Sequence, residues 1–444
     1  MHLVGLNLPE ILLGLWRATL YTEGSDKYEF WDWAVLRGDI WEKHGRTVAS
    51  LASYLPGSFY QAPRNPALKM NSGYKAWEFL VYLFVLGPAV FRGVLPDKYW
   101  RHFCRLVAGI RVFLQHRIQR EQLLEAHLNL VQFVEEYELL YYQRNKNRLH
   151  FCRQSIHLLI HVSPETHRIG PPALHAQWTM ETAIGNLTRE IRQDSNPFAN
   201  LMKVGLCRAQ INGLKASFPE LEPDPSPPRG SSELGDGYIL LRARERTAHA
   251  VQDYEIPVFR RFFQAKGFQF SGSVVPKVTR WARLHLPNGQ IARSAWKEYL
   301  KPLSNIRMSR MVKVQIDGYV HFAEVKFYFA LNINNCFHAF ALVAYFGEVD
   351  HTLAALSHNT LLVYQCLGNL GLDIISVKNI KAVVAMPPLP LTPQEEADEE
   401  VHPGQYAGRV FLAEKPGLEI FHLGGNDEND DDDTSSENAG NEKH

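Results

Sequence analysis

Three groups of side chains in this sequence could do chemistry, and the densest runs from His150 to His175 through Cys152, His157, His161, Glu165 and His167. On a helix, His157 and His161 lie one turn apart on one face, and Glu165 joins them if the helix continues past Pro164. Such a set can bind zinc, which takes three or four N, S or O donors in a tetrahedron. The alternative is that Leu158, Leu159 and Ile160 pack a core and the histidines sit at its margin. The second group is the single acid Glu78, which stands in Tyr74-Lys75-Ala76-Trp77-Glu78 just before the most apolar run of the chain. A carboxylate at a helix start is favoured by the exposed N–H groups there, so a structural role is sufficient to explain it.

The third group is basic. Residues 277–313 hold nine Lys/Arg, among them Lys277, Arg280, Arg283, Arg293, Lys297, Arg307 and Arg310, against the one acid Glu298. Trp281, Trp296 and Tyr299 are interleaved, a texture able to neutralise phosphates while aromatic rings stack. The competing reading is a solvated basic face, or an internal partner for acids elsewhere in the chain. Residues 141–150 (YYQRNKNRLH) form a smaller cluster of the same kind.

Formal net charge is zero over 444 residues, but the charge is split along the chain. Residues 395–444 carry fifteen Asp/Glu and three Lys/Arg, which leaves 1–394 with a net charge of +12. A basic body suits a polyanionic partner, while a run such as Asp430-Asp431-Asp432-Asp433 stays extended and solvated. The sequence contains no P-loop, no GxGxxG after a strand, no GxSxG elbow, no HExxH and no EF-hand loop, so nothing points to nucleotide hydrolysis, hydride transfer or serine hydrolysis. Five scattered cysteines without a CxxC pair argue for a reducing compartment and against a disulfide framework or zinc ribbon. The apolar stretch 3–15 is broken by Pro9 and Glu10 and does not read as a signal peptide. The run 79–91 contains Gly87 and Pro88, falls short of the roughly 20 residues of a spanning helix, and reads as a buried helix of a non-membrane protein.

The elements that would position these groups predict an α+β chain. Apolar spacings of three and four make 1–216 mainly helical, with 54–71 as loop. Five prolines in 218–230 mark a linker. Short β-type runs follow at 238–241, 313–316, 319–328, 339–345, 361–365 and 374–385, with turn signals at Asp317-Gly318 and Pro287-Asn288-Gly289. A small bent sheet or barrel is expected there, and a disordered acidic tail after it.

At this level the residues resemble the CACTA (En/Spm-type) transposases, particularly their fungal branch. The likeness rests on Met1-His2-Leu3 with Asn7-Leu8-Pro9-Glu10, on Trp31-Asp32-Trp33-Ala34-Val35-Leu36, and on Tyr54-Leu55-Pro56-Gly57-Ser58-Phe59. It continues through Pro63-Arg64-Asn65-Pro66, Ser72-Gly73-Tyr74-Lys75-Ala76-Trp77-Glu78, the helical positions between His157 and Leu201, and 280–297. It covers most of residues 1–390. The unit at 311–386 is similar in outline to bromo-adjacent-homology-type modules.

The resemblance implies an RNase H-like, Mg-dependent strand-transfer enzyme in the intact family, with three essential carboxylates holding a pair of ions ~3.5–4 Å apart. It implies that the D-x-M-H aspartate would fall before Met1, leaving Glu78 as the sole remaining acid and no cofactor in this chain alone. The domains then read as a C-terminal part of the catalytic domain (1–100), a helical transposase-associated domain (101–216), a linker (217–236), a basic segment with a small β domain (237–390), and a tail (391–444). The function expected is that of a transposon-derived fragment, catalytically incomplete, located in the nucleus or otherwise the cytoplasm, and contacting DNA at transposon ends or other transposase subunits. A non-catalytic DNA- or chromatin-binding module and a metal-dependent protein built on His157 and His161 are the alternatives.

Overall fold

The computed structural model of the protein describes residues 1–415 and 417, except 23, 25, 60, 192–194, 222–226, 268–273 and 334. The leading helices are α1 (Leu8–Trp16), α2 (Gly38–Ser50), α3 (Asp97–Phe113), α4 (Arg120–Tyr137) and α5 (Leu159–Ile169). Aromatic rings close their core. Trp16 lies edge-on to Phe91 and Phe103 at 4.9 and 5.3 Å and donates its indole N–H to the Tyr141 hydroxyl at 3.1 Å. Such pairs add to the burial of their large apolar surfaces. Trp31 and Trp33 stack at 5.5 Å, and the Trp31 indole N–H shares the buried Asp26 carboxylate with Arg148.

The apolar run 79–91 is buried, as its composition requires, but its helix is not regular. It passes from α-helical Ala76–Phe79 through π-helical Leu80–Leu86 to α-helical Gly87–Val90. Pro88 has no N–H, so the carbonyl of Phe84 four residues earlier lacks its helical donor. Arg111 of α3 supplies one. Its guanidinium donates to Phe84 O at 2.7 Å, to Val85 O at 3.1 Å and to Thr360 O at 2.7 Å. Burial lowers the Arg111 pKa to about 10, which leaves it charged at neutral pH.

The second half contributes β1 (Ile239–Arg244), β2 (Arg280–His285), β3 (Ile291–Arg293), β4 (Met311–Ile316), β5 (Tyr319–Ile333) and β6 (Cys336–Val349). After these come β7 (Val363–Cys366), β8 (Leu372–Ser376), β9 (Ile380–Val383) and β10 (Arg409–Phe411). They form one antiparallel sheet in the order β1-β2-β5-β6-β7-β10, with β3 on β2, β8 on β6, and β4 bridging β5 and β9. Alternation along β6 explains why the sheet is buried on both faces. Ala339, Ala341 and Val343 join Leu240, Leu284 and Val312 in one core, while Phe340, Leu342 and Ala344 pack with Phe259 and Phe263 on the other side. Both phenylalanines belong to a helix at Ile256–Ala265 that lies over the sheet. The Asp317-Gly318 turn forms as expected: both residues have positive φ (49° and 86°), and Ile316 pairs with Tyr319.

Three expectations change. The run 374–385 is two strands, because a turn at Val377–Asn379 sends β8 to β6 and β9 to β4. The basic stretch is itself woven into the sheet as β2, β3 and the start of β4. Order does not end at 391: a helix at Pro393–Val401 begins with a Thr392–Glu395 capping box, and β10 pairs with β7. Acid-rich composition reads as solvated chain, but Glu395 is held by Arg92 at 2.6 Å and Arg409 at 2.8 Å, partners 303 and 14 residues away. The rest of the expected tail, 418–444, lies outside the described residues.

Two compact units divide the chain. One joins 1–175 with 226–416, so the leading helices and the sheet share one body. They are sewn together by Arg307, which donates to Leu55 O and Pro56 O at 2.8 Å each, and by Gln290, which donates to Ser58 Oγ at 3.0 Å. The other unit is built on 176–225, with helices at Trp178–Glu190 and Pro197–Ser217. Among the described residues, 1–100 contain helices and turns and no strand, and no helix is long and apolar enough to cross a membrane.

Candidate functional site

Glu78 is 1% exposed and fully engaged. One carboxylate oxygen accepts from the Arg64 amide at 3.1 Å and Arg64 Nε at 2.8 Å; the other accepts from Arg64 Nη2 at 2.7 Å and the Lys75 amide at 2.9 Å. Burial opposes ionisation here, yet Arg64 and the two amides outweigh it and hold the carboxyl below its ordinary range. The Tyr74 hydroxyl donates to Arg64 O at 3.0 Å, and the Asn65 side chain caps the helix Pro66–Lys69. The segments Pro63–Pro66 and Ser72–Glu78, both singled out in the sequence, therefore clasp each other. A guanidinium occupies both oxygens of Glu78, and that donor set does not fit a Mg²⁺ ion, which needs bare carboxylate oxygens and neighbouring acids.

The histidine cluster comes together only in part. His157 and His161 face each other with Nε2 atoms 3.0 Å apart on the surface, but Glu165 turns to Arg168 at 2.6 Å. His175 bonds to Gly170 O, and His150 to Tyr21 O. Among the described residues, no group of three or more His, Cys, Asp or Glu is placed to hold a metal ion. The third zinc donor expected at Glu165 is thus committed to its own helix neighbour.

Six of the seven basic residues fall into three settings, and Lys277 stands apart from them. Arg310 is buried between two acids, donating to Glu324 at 2.7 Å and Glu298 at 3.0 Å, with its guanidinium 4.5 Å over the Tyr299 ring. Lys326 also contacts Glu324, and the Ser309 amide donates to Glu298 at 2.9 Å. Against burial, Lys326 and Arg310 hold the Glu324 carboxyl low, while burial pushes Glu298 up. Arg307 is given over to the loop carbonyls of Leu55 and Pro56.

In the second setting, Arg280 donates to Glu245 at 2.6 Å and shares the Trp296 ring with Lys297, their charges 5.1 and 4.6 Å from its centroid. The third setting lies on adjacent strands. Arg283 of β2 stands directly opposite Arg293 of β3 and also donates from Nε to Arg242 O of β1. Arg242 and Arg244 are exposed, and Arg244 lies 5.0 Å over Trp281. Lys277 is exposed in a short ladder with 249–250. Arg242 and Arg244 were not singled out in the sequence, because they lie before the dense stretch. The signal that marks them is a short basic run, Arg242–Arg244, directly after the apolar start of a strand beside β2.

No known protein family, curated protein or solved structure matches this chain.

Proposed function

We propose that this protein is a DNA-binding relative of the CACTA transposases that does not itself cut or join DNA. The observation that carries the reading is the concentration of arginines on three neighbouring strands, with Arg242 and Arg244 exposed on β1 and Arg283 and Arg293 half-exposed on β2 and β3. Exposed arginines neutralise phosphates and contribute affinity without reading base sequence. The commitment of Glu78 to Arg64 supports the non-catalytic half: the acid that the family likeness would assign to metal holds a loop in place instead. On this reading no cofactor is required, the partner is duplex DNA, transposon ends included, and the location is nuclear.

The test is a titration of a labelled duplex by fluorescence anisotropy at low and moderate salt, with a parallel incubation of the duplex with Mg²⁺. Binding that weakens steeply with salt, and intact DNA from both wild type and Glu78→Gln, are the expected results. Absence of binding at low salt would refute the DNA-binding claim. Strand breaks lost in Glu78→Gln would refute the non-catalytic one.

A further inference from the structure

Thr247 ends the run Arg242-Ala243-Arg244-Glu245-Arg246-Thr247, with arginines one, three and five residues before it. No other Ser or Thr of the chain follows arginines at both the third and the fifth place. Its setting is open. Residues 245–248 belong to no helix or strand, Thr247 is exposed, and its hydroxyl meets the exposed His249 at 3.3 Å from Nε2. Arg242 and Arg244 lie on a free edge of β1, because the outer partner Ser232–Glu233 reaches only Ile239 and Leu240. Pairing with β2 slips between Leu241 and Arg244, and Arg242, Ala243 and Arg244 are all exposed. Arg242, Arg244 and Arg246 form no ion pair among the described residues, since Glu245, the acid between them, is taken up by Arg280.

An arginine-directed Ser/Thr kinase takes its substrate as an extended segment and sets carboxylates against the guanidinium groups upstream of the acceptor hydroxyl. Residues 242–247 present those groups on one open edge. Ser294 and Ser309 also follow arginines, but both are buried and cannot enter a kinase cleft. We propose that Thr247 is the phosphoacceptor of such a kinase and that its phosphate withdraws the neighbouring arginines from DNA, a consequence that rests on the DNA-binding function already proposed. In the transfer, Thr247 Oγ1 bonds to the γ-phosphorus of ATP while the bond from that phosphorus to the β–γ bridging oxygen breaks. ADP leaves with the electron pair, and the hydroxyl proton passes to a carboxylate of the kinase and on to water. The product carries about −1.5 to −2 charges at pH 7, enough to offset roughly two guanidinium groups that would otherwise meet DNA phosphates.

The test incubates the full chain with a purified arginine-directed kinase and ATP and locates phosphate by peptide mass mapping. Incorporation at Thr247 is expected. Thr247→Val should abolish it, and Arg244→Gln should slow it about tenfold, as loss of one charge-assisted pair would. The phosphorylated chain should bind a labelled duplex about tenfold more weakly at 0.1 M salt, with the slope of log Kobs against log salt smaller by about 2. Thr247→Val carried through the same incubation should keep the affinity of untreated wild type. A chain left unmodified at Thr247 while the kinase modifies an arginine-containing control peptide overturns the acceptor assignment, as does a rate indifferent to Arg244→Gln. Equal affinity of the phosphorylated and unmodified chains overturns the switch. If the unmodified chain binds no duplex at low salt, the DNA-binding function falls and the switch with it, while phosphate found at Thr247 still upholds the acceptor.

Discussion

Arg310 and the pair Arg283–Arg293 come from one basic stretch, yet they end in opposite settings. Arg310 sits on the approach to β4, where the chain turns inward, and is enclosed by Glu298, Glu324 and Tyr299. Arg283 and Arg293 sit half-exposed across from each other on β2 and β3. The difference teaches that a count of basic residues says little until strand direction sorts them. In the first setting a positive charge is enclosed by acids; in the second it stays half-exposed on the sheet.

Substitutions at the two settings should break different things. Arg310→Met leaves two acids buried without their partner and should cost about 4 kcal/mol, the range for stripping one member from a buried ion cluster. Chemical denaturation would show it as a lower midpoint, and a loss below about 1 kcal/mol would mean that the cluster is not closed. Arg111→Met removes the donor for three carbonyls and should cost about 3 kcal/mol, since each buried acceptor left unpaired costs about 1–3 kcal/mol. An unchanged melting curve would contradict the link between Pro88 and Arg111.

The Glu395 cluster gives a pH-dependent version of the same contrast. Arg92, the Thr392 amide and Arg409 overcome burial and hold Glu395 at about 2. A depressed carboxylate stabilises the native state fully above the ordinary glutamate value of about 4.3 and loses that contribution as pH falls toward 2. Glu395→Gln should therefore cost about 2 kcal/mol at pH 7, and the gap to wild type should close in urea melts between pH 4.5 and 2. A gap independent of pH would assign the cost to packing rather than charge.

Much of the architecture was legible because local chemistry and tertiary outcome agree. Asp317-Gly318 can adopt positive φ where a hairpin needs it, and 79–91 is too apolar to lie anywhere but inside. The basic body and the position of Glu78 at a helix start were legible in the same way. Partners distant in sequence were not. Nothing local tells Glu78 that Arg64 will close on it, or Arg148 that Asp26, 122 residues earlier, will lie beneath it. The helix Pro393–Val401 was misread for the same reason, its acids having been weighed without Arg92. At the candidate site, composition located the cationic stretch, but pairing alone separated Arg283 and Arg293 from Arg307 and Arg310 and added Arg242 and Arg244.

The most direct test of the central claim is the salt dependence of duplex binding by wild type and by Arg283→Ala/Arg293→Ala. Loss of two phosphate contacts should weaken binding about tenfold at 0.1 M salt and reduce the slope of log Kobs against log salt by about 2. An identical slope and affinity in the double variant, with wild type still binding, would contradict the assignment of DNA contact to this arginine row.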